Sequence, residues 1–274
     1  MPDAIAGTLL GRRKRFFADV QAGAARLVAH CPNTGRLTGC ATVGAAVVLC
    51  RRDRVGRTLP WTWVLVRCGR AWVGVESARA PALVQAAIAA GRLPALAGFA
   101  QVHRELELPP AQPRATVRHR CDLTLAHGDR EAARALLRRR ARVPASAWIE
   151  VKATTWRVDQ PGSPRRWACF PDAPTERGVR QLGALIEVVR RGQRAAVVFA
   201  VMRGDVDAFT PAAAIDPAYA TALREAVDAG VEVYALAARI RVGRGRDGAP
   251  RPRIVLDRVL PVRLEPGAAA SLNP

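Results

Sequence analysis

The chain has 274 residues, half of them hydrophobic, which is enough for one large domain or two small ones, each with its own core. Its formal charge is +20, from 43 basic residues against 23 acidic ones, a field that disfavours an enzyme of small metabolites and favours polyanions, nucleic acid first. No stretch approaches the ~18 apolar residues of a membrane helix, and the apolar patch Ile5 to Leu10 precedes its arginines, the reverse of a secretory signal; a cytoplasmic protein with no membrane partner is expected.

The first 78 residues read as short strands and turns. The basic run Arg12, Arg13, Lys14, Arg15 is followed by Phe16 and Phe17. That combination offers phosphate contacts beside stacking surfaces, as single-strand binders on small barrels do. A strand over Leu27 to His30 ends in the turn Cys31-Pro32-Asn33-Thr34-Gly35, where Gly35 is expected to supply a positive φ. Strands over Ala45 to Cys50, Trp61 to Arg67 and Ala71 to Val75 follow, with Trp61 and Trp63 on one face as barrel core. An OB-like β-barrel fits this size and spacing.

From Ala80 the pattern changes. A helix over Ala82 to Ala90 is stopped by Gly91 and Pro94, and strands are predicted near Val102 to Leu108 and Thr116 to Leu125. An arginine-rich helical stretch (Arg134, Arg138, Arg139, Arg140, Arg142) precedes a strand over Ala147 to Ala153. Thr175 to Arg191 is an amphipathic helix with Asp172 and Thr175 as candidate N-caps. A buried strand (Ala195 to Met202), a helix (Pro217 to Ala229) and a strand (Val231 to Leu236) complete an α/β alternation. Arg241 to Pro252 reads as a Gly/Arg/Pro linker, Ile254 to Leu264 as a last strand, and Glu265 to Pro274 as disordered. The expected domains are 1–78, 79–240, and 241–274 as linker, strand and tail.

Six scattered cysteines with no CxxC pair, and four isolated histidines, point to neither a zinc site nor a triad. The two lysines are more informative, because 41 of the 43 basic residues are arginine. A compact ammonium persists at Lys14 and at Lys152, in Trp148-Ile149-Glu150-Val151-Lys152. Strand alternation puts Trp148, Glu150 and Lys152 on one side and Ile149 and Val151 toward the core. Asp122 lies upstream, on a strand that can run alongside. Two carboxylates, Asp122 and Glu150, on neighbouring strand ends can hold a hard divalent cation such as magnesium, with Lys152 orienting or deprotonating a water.

In these and further stretches the chain resembles the sugar fermentation stimulation protein A family over nearly its whole length. The matching stretches are RRKRFFADV from Arg12, AHCPNTGRLTG from Ala29, PWTWVL from Pro60, IEVKAT from Ile149, CFPDAPTERG from Cys169 and FTPAAAIDP from Phe209. The resemblance implies DNA binding, an OB-like N-terminal domain, and a C-terminal domain similar to PD-(D/E)XK nucleases. On that basis Asp122, Glu150 and Lys152 are the nuclease-like residues and Asp122 and Glu150 the metal ligands. It also implies a link to the regulation of sugar metabolism, which no residue here explains. The family's Ser-Arg-x-Asp-Phe stands here as His119-Arg120-Cys121-Asp122-Leu123, and its Lys-His after TERG as Arg180-Gln181.

The expected fold is therefore an OB-like barrel followed by a PD-(D/E)XK-like mixed-sheet α/β domain. The expected function is nonspecific DNA binding by Arg12, Arg13, Lys14, Arg15, Arg120 and Arg177, with a magnesium-dependent phosphodiesterase site. The alternatives are a DNA-binding regulator without chemistry and an arginine-rich RNA-binding protein.

Overall fold

The computed structural model describes residues 3–52, 58–108, 119–129, 131, 146–159 and 164–264. Six strands come first: β1 (Ala4–Arg13), β2 (Phe17–Ala22), β3 (Ala25–His30), β4 (Ala46–Arg51), β5 (Trp61–Cys68) and β6 (Ala71–Gly74). The order β3-β2-β1-β4-β5 closes on itself where His30 pairs with Thr62, so five strands form an OB-like barrel and β6 extends it. Alternating apolar residues fill the interior, with Leu9, Val20, Leu49, Trp63 and Val66 fully buried. Sequence reading began the strands at Leu27, but β1 and β2 precede it. Ile5 to Leu10, read only as an apolar patch, belongs to β1.

The second part holds α1 (Ala80–Ala89), β7 (Gln101–Glu107), β8 (Arg120–Ala126), β9 (Ser146–Thr154), β10 (Arg157–Asp159), β11 (Arg166–Phe170), α2 (Glu176–Arg190), β12 (Arg194–Val201), β13 (Ala208–Pro211), α3 (Pro217–Asp228), β14 (Glu232–Arg244) and β15 (Pro250–Leu260). The main sheet runs β15-β14-β12-β9-β8-β7, with β9, β12 and β14 parallel and the outer pairings antiparallel. Helix α1 covers one face, where Leu83 and Val84 meet Leu123, Ile149 and Val198. Helices α2 and α3 cover the other, where Leu182, Leu185, Tyr219 and Leu223 meet Trp148, Val197 and Phe199. With both faces covered, the central strands read as continuous apolar runs. A small sheet, β10-β11-β13, lies beside it.

Sequence expectation needs correction in four places. Arg241 to Pro252 is no linker: β14 runs to Arg244, β15 starts at Pro250, and the two pair antiparallel over Ala235–Leu260. Ile240, Val242 and Ile254 of this hairpin pack on Val48, Val64 and Trp72 of the barrel, so the apparent linker is the joint between the two parts. Asp172 does not cap α2. Thr175 does, its hydroxyl accepting from Gly178 N at 3.1 Å, while Asp216 caps α3 and also accepts from Thr175 N at 2.7 Å. Gly35 does not adopt a positive φ; a Cβ there would meet the Asp172 carboxylate oxygens at 2.8 and 2.9 Å, so a larger residue would displace the carboxylate that accepts from Leu37 N. Finally, the Glu150 side of β9 is no open surface, because α2 and α3 cover it and Trp148 is fully buried. Of the arginine-rich helical stretch expected between His127 and Ala147, residues 130 and 132–145 lie outside the described residues, as does the expected disordered tail, 265–274.

Candidate functional site

The register of the sheet sets three acids in a row. Pairing of Leu123 with Ile149 makes Asp122 and Glu150 the next opposed positions of β8 and β9. Pairing of Arg104 with Leu123 and of Leu106 with Cys121 puts Glu105 across from Asp122 on the other side. The β8–β9 ladder stops before this row, and Val151 N, which would continue it, donates instead to Asp122 Oδ2 at 2.7 Å. The side chain thus replaces a main-chain acceptor and is fixed by it.

Glu150 is 4% exposed. Its Oε1 accepts from Lys152 Nζ at 2.8 Å and from Gln181 Nε2 at 2.6 Å, and Gln181 Oε1 accepts from Lys152 Nζ at 2.6 Å. These three side chains close a triangle between β9 and α2. Glu150 Oε2 is buried without a hydrogen-bond partner among the described residues. Burial and the charge of Glu150 push the Asp122 carboxyl up to about 7, against the opposing pull of the Val151 N–H and Lys152. The His119 imidazole, buried near Arg177, Arg180 and Lys152, is held below its ordinary value by desolvation first and those charges second.

Two cavities meet here. One, of about 650 Å³, lies between barrel and sheet and is lined by Arg15, Asn33, Thr34, Glu105, Asp122 and Lys152 among others. The second, of about 560 Å³, is lined by Glu105, His119, Arg120, Asp122, Glu150 and Arg177 among others. The Asp172 carboxylate accepts from Leu37 N of the barrel at 3.0 Å, tying the wall of the first cavity to the segment ahead of α2.

Asp122, Glu150 and Lys152 therefore come together, and Arg15, Arg120 and Arg177 line the same cleft. The rest of the basic run does not act as one unit. Arg12 is half-buried and makes five hydrogen bonds, of 2.6 to 3.1 Å, to the carbonyls of Arg15, Asn33, Gly35 and Arg36. Its guanidinium therefore holds the turn together. Arg13 pairs with Asp19 and lies over the Phe17 ring. Lys14 and Arg15 are exposed in the β1–β2 turn, both at positive φ. Glu105, His119 and Gln181 join the site without being legible in the sequence as members of it. Only the departures His119 and Gln181 carried a signal, as substitutions beside the motifs.

The donor set fits a hard divalent cation. Two carboxylates adjoin; burial and Glu150 disfavour the charged form of Asp122, and Glu150 keeps an orphaned oxygen, so a cation would relieve both. Among the described residues no three His, Cys, Asp or Glu side chains converge on one ion-sized volume, so water or substrate would complete the coordination of such an ion.

Residues 10–75 match the family model described as the SfsA N-terminal OB domain, and residues 78–244 match the sugar fermentation stimulation protein RE domain. The chain belongs to the sugar fermentation stimulation protein family. Within it, the chain is 38% identical to the homolog of Acidithiobacillus ferrooxidans over 241 residues, covering 88% of this chain and 93% of that one. It is 43% identical to the Halorhodospira halophila homolog over 230 residues, covering 83% and 86%. The fold is that of Pyrococcus furiosus SfsA, solved in complex with Ca2+, with a TM-score of 0.71 at 23% identity, covering 95% of this chain and 96% of that one. Family membership places the two matched segments on the barrel and on the α/β part, and the cleft described above lies where they meet.

Proposed function

We propose that this protein binds nucleic acid without sequence preference in the cleft between barrel and sheet, and that Asp122, Glu150 and Lys152 serve metal-dependent phosphodiester hydrolysis there. Glu150 carries the reading. Lys152 pairs with its Oε1, but the carboxylate is 4% exposed and its other oxygen is buried without a partner beside a second carboxylate, a cost that a further positive group would offset. That the P. furiosus protein was solved in complex with Ca2+ is in keeping with a divalent cation here.

Asp122 and Glu150 would hold the ion. When bound, a divalent cation supplies charge stabilisation at a phosphate and lowers the pKa of water. The chain's own residues do the rest. Lys152 spends two N–H groups on Glu150 and Gln181, and its third is available on the cavity side to a phosphate oxygen or the attacking water. Gln181 fixes both members of that pair, so neither has to reorganise. Arg15 on the barrel side and Arg120 and Arg177 on the other supply phosphate contacts at either end of the cleft.

The test is a cleavage and binding assay on labelled single-stranded DNA, duplex DNA and RNA, with magnesium or manganese and with chelator. Metal-dependent cleavage is expected, lost in Asp122→Ala and Glu150→Gln while binding persists. Lys152→Arg is expected to fail as well, because a planar guanidinium does not fit the Glu150–Gln181 triangle. Binding without cleavage under every divalent cation would overturn the enzymatic half and leave a DNA-binding regulator. Strong preference for RNA would overturn DNA as the partner.

A further inference from the structure

A third cavity, of about 710 Å³, opens where β5 and β6 of the barrel meet the β14–β15 hairpin. In the main sheet, β12 separates that hairpin from the strands that carry Asp122 and Glu150. Four arginines line the cavity, Arg67, Arg70, Arg239 and Arg258, together with Trp72 and two acids, Asp205 and Asp257. Both acids are already engaged. Asp257 pairs with Arg239 at 2.6 Å, and Asp205 pairs at 2.7 and 2.6 Å with Arg203 and Arg157, which do not line the cavity. Arg67, Arg70 and Arg258 form no ion pair among the described residues. Asp207, on which Arg258 acts through space, is itself paired with Arg166 at 2.8 Å. Three positive charges are therefore left over in one concave site.

Two of the three are also held in place. Arg258 stands opposite Ala237, beside the bulge at Ala237 and Ala238, and its Nη2 donates to the carbonyls of Gly204 at 3.0 Å and Val206 at 2.6 Å. Gly204 permits this docking, because a Cβ there would meet Ala238 O at 2.7 Å. Arg258 keeps Nε and Nη1 to donate elsewhere. Arg67 pairs opposite Trp72 in the β5–β6 ladder, and its guanidinium lies over the indole, 5.4 Å from the ring centroid. Its Nε donates to Gly69 O at 3.1 Å, which leaves both Nη groups. Arg70 is exposed in the turn between them. A planar guanidinium fixed on one edge and open on the other presents a fork to phosphate oxygens with little left to reorganise.

We propose that Arg67, Arg70 and Arg258 form a second phosphate-binding position for nucleic acid, separate from the cleft that holds Asp122 and Glu150. The inference rests on nucleic-acid binding by this chain and adds that the bound molecule is gripped at a second place on the joint between barrel and sheet. The contacts go to the backbone, so they position the strand and carry no sequence information. Their signature is a salt dependence steeper than the contacts of the cleft alone would give.

The experiment is fluorescence anisotropy of the full chain on a ~30-base-pair duplex between about 50 and 200 mM salt. The unmodified protein is compared with the triple variant Arg67→Gln, Arg70→Gln, Arg258→Gln. A control removes the same charge at exposed arginines outside all three cavities, with Arg26→Gln, Arg92→Gln and Arg244→Gln. Melting temperatures verify the fold, and Arg70→Gln alone keeps the test decisive if the triple variant melts early. At ~0.9 per phosphate contact, the triple variant should show a slope shallower by about 2.7 and bind at least ~10-fold more weakly at the low-salt end, and Arg70→Gln a slope shallower by about 0.9. The control should keep the slope of the unmodified protein. Unchanged slopes in the variants, or an equal loss in the control, overturn the second position and leave binding in the cleft standing. Binding of dAMP or inorganic phosphate that the triple variant loses, with duplex binding unchanged, overturns nucleic acid as the ligand. No binding of nucleic acid by the unmodified protein overturns both this inference and the reading beneath it.

Discussion

At the residue scale the site is built at the expense of stability. Asp122 is held at about 7 by burial and by Glu150, well above the ordinary aspartate value of 3.8. A carboxyl whose folded-state value is raised destabilises the fold once it must ionise. The penalty is absent below about pH 4, grows between pH 4 and 7, and is complete above 7. Asp122→Asn retains an acceptor for the Val151 N–H and removes the charge. In metal-free protein it should stabilise on the order of 2 kcal/mol at pH 8 and have no effect near pH 4. Melting temperatures of both proteins at the two pH values check this, and equal destabilisation at both would show that the hydrogen bond matters more than the charge.

At the element scale, the β1–β2 turn divides a run of four bases into distinct roles. Arg12 serves four main-chain carbonyls, Arg13 is engaged with Asp19, and Lys14 and Arg15 extend toward solvent and the cleft. Arg12→Ala would leave those carbonyls without their charged donor and should cost about 2–3 kcal/mol. Lys14→Ala should change stability by less than about 0.5 kcal/mol while weakening binding to DNA. Urea unfolding and binding at matched salt separate the two. Were Arg12→Ala to weaken binding at unchanged stability, the guanidinium would be a phosphate contact after all. The β14–β15 hairpin teaches the same lesson for strands. Its segment Arg239-Ile240-Arg241-Val242 alternates with period two, so a strand signal was present. Glycine, proline and arginine composition masked it, because the arginines face solvent and the apolar residues face the barrel.

At the scale of the whole molecule, the +20 charge is not spread evenly in its consequences. Many arginines are committed to ion pairs, such as Arg203 and Arg157 with Asp205, Arg166 with Asp207, and Arg194 with Glu232. Lys14, Arg15, Arg120, Arg177 and Arg180 are exposed at or near the cleft. Five such phosphate contacts give a salt slope of about −4.5, a loss of roughly 500-fold in affinity between 50 and 200 mM salt. Fluorescence anisotropy across that range measures it. A slope near zero, or a preference of several orders of magnitude for one sequence, would rule out backbone-driven binding.

The sequence by itself determined the two-part architecture and the residue types at the centre of the site. The β-branched and aromatic run of Trp61–Cys68, the amphipathic period of Glu176–Arg190 and the E-x-K spacing are local, and local pattern survives in one dimension. The tertiary structure decided what depends on register and on contacts between distant segments. Glu105 gained meaning only when β7 paired with β8 and set it opposite Asp122. Gln181 gained it only when α2 packed over β9. Arg12 gained a structural role because carbonyls 21 to 24 residues away folded onto it. Side-chain chemistry is written in the chain, but which groups share a volume is fixed by long-range pairing that the order of residues does not display.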